Sequence, residues 1–201
     1  MIDNDDRFRT AMDRLDREHA DDPRTVEDEQ GEPVPHELLY ARRMSAWLER
    51  VRPDAPDYLR LAIRAQHLRR WEIPRNGYPM DRPGYHAWRT ELKQRQAGLA
   101  RDVLLECGYE RDTAERVAAL VRKEDLRHDA DTRALEDTAC LVFLQYEFEA
   151  FAARHEDERV VTILRRTWRK MSGQGHQLAA EIAMTGRPRA LVEQALAAES
   201  R

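Results

Sequence analysis

Arginine, histidine and aromatic side chains crowd the stretch from Leu61 to Arg89. Arg64, His67, Arg70, Trp71 and Arg75 precede a bend containing Gly77, Pro79 and Pro83, and Gly84-Tyr85, Trp88 and Arg89 follow it. Guanidinium forks bind oxyanions, Trp and Tyr rings supply stacking area, and a histidine changes charge near neutral pH. The mixture suits an anionic ligand held against aromatic faces, with His67 to move a proton. At 100° per residue His67 shares a helix face with Arg60, Arg64, Arg70 and Trp71, and no acid interrupts that face before Glu72. Like charges one turn apart repel by a few tenths of a kcal/mol. An anionic ligand or an acidic partner segment is therefore its natural complement, and the plain alternative is a solvated arginine face. The candidate ligand-binding set is Arg64, Arg70, Trp71, Arg75, Tyr85, Arg89 and Lys123, although Lys123 could simply complement the negative end of its helix.

Asp137 is the second candidate. Its helical neighbours are Ala134, Cys140, Leu141, Leu144 and Phe148, all small or apolar. A carboxylate on that stripe without a partner costs several kcal/mol or takes up a proton. It calls for a cation, a hydrogen-bond donor or a metal. Two expectations follow: Asp137 pairs with an Arg, Lys or His of a neighbouring helix, or it closes a site with His67.

The elements that must position these groups read as helices throughout, with no convincing strand alternation. Helices are expected over residues 4–19, from His36 to Val51, over 57–72, 85–107, 111–123 and 131–153, with two or three shorter ones over 157–171 and 174–199. Pro74 is the expected stop for the third, and the acidic stretch 24–35 reads as a loop. The class is all-α, a compact multi-helix bundle forming a single helical domain over 1–201, with residues 185–201 as a C-terminal helix.

Composition narrows the function. Lys and Arg number 34 against 38 Asp and Glu, a net charge of −4. Nucleic-acid binders usually carry a basic excess, so the balance argues against nucleic acid and leaves RNA a third option only. The two cysteines, Cys107 and Cys140, lie far apart in apolar helical sequence and read as buried, reduced core residues. No signal peptide and no membrane-length apolar run is visible, so a cytoplasmic protein without membrane contact is expected. Oligomeric state is not legible.

Much of the chain, from Phe8 to Ala180, resembles the domain-of-unknown-function 4202 family. The pieces that carry the resemblance include Glu37-Leu-Leu-Tyr40, Arg43-Met44, Arg64 through Arg75, Tyr78-Pro79, Gly84-Tyr85, Trp88-Arg89, Leu135 through Leu144 and Trp168 through Met171. The order His36, His67, Asp137 is also similar to the HD superfamily of helical metal-dependent phosphohydrolases. That resemblance implies an HD-domain-like fold and His36, His67 and Asp137 as ligands of a divalent metal (zinc, manganese, iron or nickel). Leu68 stands where the superfamily has its paired aspartate, a departure that leaves a metal-free pocket as an equal expectation. Two functions are thus in view. One is an HD-like protein binding a phosphorylated or other anionic small molecule, with phosphate-ester or nucleotide hydrolysis as its reaction class and His67 and Asp137 as catalytic pair. The other is a non-enzymatic module docking an acidic partner through the Arg/Trp surface.

Overall fold

Helical spacing accounts for most of the chain. The computed structural model describes residues 4–126 and 128–197. Helix α1 (Asn4–Ala20) has Asp5 and Asp6 in its first turn and Arg17 in its last, the arrangement the helix dipole favours. It buries Ala11, Leu15 and His19. Helix α2 (His36–Val51) buries the expected stripe Leu38, Ala41, Met44, Leu48 and Val51. Then come α3 (Asp57–Arg64), α4 (Arg82–Glu106), α5 (Arg111–Arg122), α6 (Ala130–Val142), α7 (Phe148–Ala153), α8 (Asp157–Trp168), α9 (Gly173–Ala180) and α10 (Gly186–Ala197). Residues 198–201 of the expected C-terminal helix lie outside the described residues. Helix α4 packs along α5 and α2 along α6, with Met44, Leu59, Ile63, Leu104, Leu120, Leu135 and Phe148 fully enclosed between them. Among the described residues no helix is long and apolar enough to cross a membrane.

Four expectations change. Residues 24–35 are not a plain loop: β1 (Thr25–Glu27) and β2 (Pro33–Pro35) pair antiparallel, Val26 opposite Val34. Asp28 accepts hydrogen bonds from the amides of Gln30 and Glu32, and Gly31 supplies the left-handed residue at φ +82°. Val34 is buried with Leu38 and Leu39, and Val26 packs against them, so the hairpin is held to the start of α2. The long apolar helix is also interrupted, because residues Phe143–Glu147 form a π-helical turn between α6 and α7. Cys140 is buried as expected, but Cys107 is only half-buried.

The fourth change matters most. Helix α3 stops at Arg64, not at Glu72. Residues 65–69 are good helix formers, so local propensity does not end it. Tertiary demands do. Leu68 is fully buried, Gln66 folds back to donate to the Ala62 carbonyl at 3.1 Å, and His67 and Arg69 take left-handed backbone angles, φ +67° and +47°. Such angles cost non-glycine residues about 1 kcal/mol or more each and persist only where the surroundings impose them. Two short 3₁₀ turns, Arg70–Glu72 and Arg75–Gly77, complete the crossing to α4. Asp81 caps α4 by accepting from the Gly84 amide at 2.7 Å, and a Cβ on Gly84 would stand 2.1 Å from the Pro79 carbonyl oxygen.

Asp131 ties the far end together. It is buried, accepts from Arg116 at 2.6 Å and from the Tyr58 hydroxyl at 2.9 Å, and pairs with Arg52. Asp131 is buried but both arginines reach solvent, so removing the acid costs about 1–3 kcal/mol, the loss of charged hydrogen bonds, not the full cost of stranding buried charges. Asp131→Ala should therefore lower stability by roughly that amount in urea unfolding. A loss within the error of the fit would show the network to be dispensable.

Candidate functional site

His67 is the centre of the polar interior. Its Nδ1 lies 3.1 Å from Glu37 Oε2, its Nε2 lies 2.7 Å from Arg70 Nη1, and its ring stacks on Tyr40 at 4.1 Å and 10°. A guanidinium can only donate. Nε2 is therefore the accepting nitrogen, Nδ1 carries the proton and donates it to Glu37, and the imidazole is neutral. Burial and the adjacent Arg70 push its pKa down to about 3. The Arg70 guanidinium lies 5.2 Å from the Trp88 ring centroid, and Trp88 donates its indole N–H to the Ile73 carbonyl at 2.8 Å. Trp88 thus backs the arginine and braces the crossing segment together.

Glu37 is 1% exposed, at the first turn of α2. Burial opposes its ionisation, but His67, His36 and the Arg24 fork outweigh that, and the carboxylate is held well below its ordinary range. Arg24 Nη2 bonds Glu37 Oε1 at 2.7 Å and the buried Asp22 at 3.0 Å, while the Glu37 amide donates to Asp22 at 3.1 Å. The helical reasoning that singles out Asp137 applies equally here. Glu37 shares the stripe of Ala41, Met44 and Leu48, so the sequence carries the same signal there, a carboxylate among core residues.

The expected ligand-binding residues divide. Arg70 and Arg89 both act electrostatically on His67 and on Tyr40, and among the described residues Arg89 has no hydrogen bond or ion pair. Arg64 does not belong with them. With α3 ended, its fork turns to Asp16 at 2.6 and 2.7 Å and reaches Ser45 at 3.0 Å. The one-sign face around His67 does not exist, and Arg60 donates to the carbonyls of Ala55 and Pro53. Arg75 donates to the carbonyls of Tyr78 and Asp81 and lies 6.0 Å from the rings of Tyr85 and Trp88. It pins the bend. Trp71 is half-buried beneath Arg69, and Tyr85 is exposed and tilted against Trp88. Lys123 does more than complement a helix end: from a left-handed residue at φ +58° its ammonium reaches buried Glu136 at 2.5 Å.

Asp137 needs the largest correction. It pairs with neither a cation nor His67. Ser172 donates to it twice, through its amide at 2.8 Å and its hydroxyl at 2.5 Å, and the Ser172 Oγ in turn caps α9 by accepting from the Gly175 amide at 3.1 Å. A Cβ on Gly175 would stand 2.6 Å from Asp137 Oδ1. Asp137 welds α6 to the start of α9, and the carboxylate that orients His67 is Glu37. The expected metal set divides with it. Among the described residues, the three possible ligands that come together are Asp22, His36 and Glu37, their ligand atoms within 4.8 Å. The buried Nδ1 of His36 has no hydrogen bond. Both carboxylates already share the Arg24 guanidinium, which supplies the positive charge an ion would bring, so the donor set as it stands does not fit a metal.

Fold and site together define an all-α protein with a neutral histidine held between a buried carboxylate and a guanidinium. Residues 9–192 match the family described as Domain of unknown function (DUF4202), and the chain belongs to that family. No curated protein and no solved structure matches it.

The depressed His67 pKa fixes a pH dependence. The unfolded chain takes up this proton near pH 6.5 and the folded one near 3. The contribution is whole above pH 6.5 and is lost as pH falls toward 3. Buried His19, whose Nε2 donates to the Arg64 carbonyl at 2.8 Å, is shifted the same way by burial. The melting temperature should drop between pH 7 and 5, and the drop should be shallower in His67→Asn. Parallel curves for the two proteins would place the acid sensitivity elsewhere.

Proposed function

We propose that this chain binds a phosphorylated or other anionic small molecule at His67, Arg70 and Arg89, in an HD-like helical setting, with hydrolysis of a phosphate ester or nucleotide as the reaction class. One observation carries the reading. A neutral imidazole, oriented by a buried carboxylate, has its free nitrogen covered by an arginine, and beside it Arg89 has no counter-ion among the described residues. Charge-assisted, bidentate bonds from Arg70 and Arg89 suit a tetrahedral oxyanion. Drawing Arg70 onto the anion would uncover His67 Nε2 and relieve the part of its lowered basicity that Arg70 adds to burial. His67 would then take a proton from a water attacking phosphorus as the P–O bond to the leaving oxygen breaks, that oxygen taking a proton from solvent, with Glu37 holding Nδ1–H and stabilising the imidazolium. Glu37 is the positioning residue of the pair. No step in this reading requires a divalent ion.

An interaction module is the second reading. It draws on Met80 and Tyr85, exposed at 78% and 46%, on a bend flanked by Arg75 and Arg82. Here His67 would be an internal strut, and an acidic partner segment would dock outside.

Thermal-shift titration with phosphate esters separates the two. Arg70→Gln should stay folded and lose the ligand-induced shift, and Glu37→Gln should keep binding but lose about 10²–10⁴-fold of any turnover. Unchanged binding in Arg70→Gln would sink the anion-pocket reading. Unfolding of His67→Ala, with no ligand found for the parent protein, would favour the strut.

A further inference from the structure

Arg89 has a neighbour on α4 that the His67 arrangement does not use. Lys93 follows it by four residues, on the same face and about 6 Å along the axis at 1.5 Å per residue. Lys93 is half-buried, and among the described residues it makes no hydrogen bond or ion pair. Burial pushes its ammonium pKa down, and Arg89, Lys123 and Lys170 press it further in the same direction. Opposing them is one acid. Glu136, on α6, is buried, with Lys123 at 2.5 Å from one oxygen and Lys170 at 3.4 Å from the other. Burial alone would raise the Glu136 pKa, yet these two lysines hold it at about 2.

Lys123 and Lys170 thus share one carboxylate, both of whose oxygens are engaged, and Lys93 lies in the field of this group and of Arg89 with no ion pair of its own among the described residues. Three lysines and an arginine against one carboxylate leave an excess of positive charge in a half-buried place, which an anion would offset. Lys123 reaches Glu136 from the left-handed C-terminal cap of α5, at φ +58°.

We propose that Lys93, Lys123 and Lys170, arranged around Glu136, form a second anion subsite, so that the ligand carries two anionic groups about one helical turn apart. The first group lies on Arg70 and Arg89 and the second on the lysines, with α4 as the shared wall. The ligand class is a polyphosphate chain or a small molecule bearing two phosphates, rather than a simple monoester. The inference rests on the anion-pocket reading for the first group only, because the lysine cluster stands on its own geometry.

The test uses inorganic phosphate and tripolyphosphate as probes, titrated calorimetrically at matched ionic strength, since exposed charges are screened by salt. Wild-type protein should bind tripolyphosphate more tightly than phosphate by about tenfold or more. Lys93→Met should lose that gain, keep its phosphate affinity, and melt no lower than the parent without ligand, because an unpartnered charge has been removed. Lys170→Ala, at a side chain 55% exposed, is the second variant and should lose part of the gain without touching the fold. Equal affinity for the two probes, or tripolyphosphate binding unchanged in both folded lysine variants, would overturn the second subsite while leaving the His67 pocket standing. Tripolyphosphate binding that needs Lys93 but is indifferent to Arg70→Gln would do the reverse. It would uphold the lysine site and end the link to His67.

Discussion

A carboxylate with almost no access to water organises this molecule. Glu37 sits at the first turn of α2, and ionising it there is costly unless donors surround it. The chain meets that demand from three directions. The turn after α1 brings Asp22 and Arg24, the hairpin delivers the chain to His36, and the unwound segment beyond α3 brings His67. Each brings its own complication. Asp22 is a second buried acid, and the Arg24 fork must serve both. His67 must leave the helix that local propensity would continue, at a left-handed backbone angle. Much of the irregular structure in the first half of the chain is the geometry of satisfying Glu37.

The consequence for chemistry is a division of roles among arginines that look alike in sequence. Arg24 and Arg64 are internal counter-ions, each with its fork on carboxylates. Arg75 holds the bend through backbone carbonyls. Arg70 faces a neutral nitrogen and an aromatic ring, and its attraction to Glu37 runs past the intervening imidazole. Among the described residues Arg70 has no carboxylate in hydrogen-bond reach, and Glu37 and Glu147 act on it only at longer range.

Sequence pattern located the helices well because amphipathic spacing is a local property. The buried stripe of α2, the central burial of α6 and the capping of α4 all follow from residues within a few turns. Partner identity is not local. Nothing in the segment around His67 says that the helix ends at Arg64, because what unwinds it is the burial of Leu68 and the reach to Glu37, both tertiary. A helix continued to Glu72 would put Arg60, Arg64 and His67 on one face, and with α3 ended at Arg64 that face does not form. Asp137 shows a related failure. Its need for partners was legible, but a serine hydroxyl and amide fill it as well as a cation would, and no pattern within α6 distinguishes them. Glu37 and Glu136 carried the same signal as Asp137, acids on apolar stripes, and they face the groups with chemistry.

Backbone strain marks the same regions by an independent route. Among the described residues, the non-glycine positions with positive φ are His67, Arg69, Lys123 and Asp125. They fall in two clusters, one carrying the Glu37-bound histidine and the other the Glu136-bound lysine. Strain of this kind costs about 1–3 kcal/mol at each residue and persists only where surrounding contacts over-determine the conformation. At the first place the histidine donates to buried Glu37, and at the second the lysine that caps α5 pairs with buried Glu136. The fold thus holds strained backbone, buried carboxylates and under-compensated cations along one seam. Removing either buried carboxylate would strand the donors that hold it, so each acid and its partners stand or fall together.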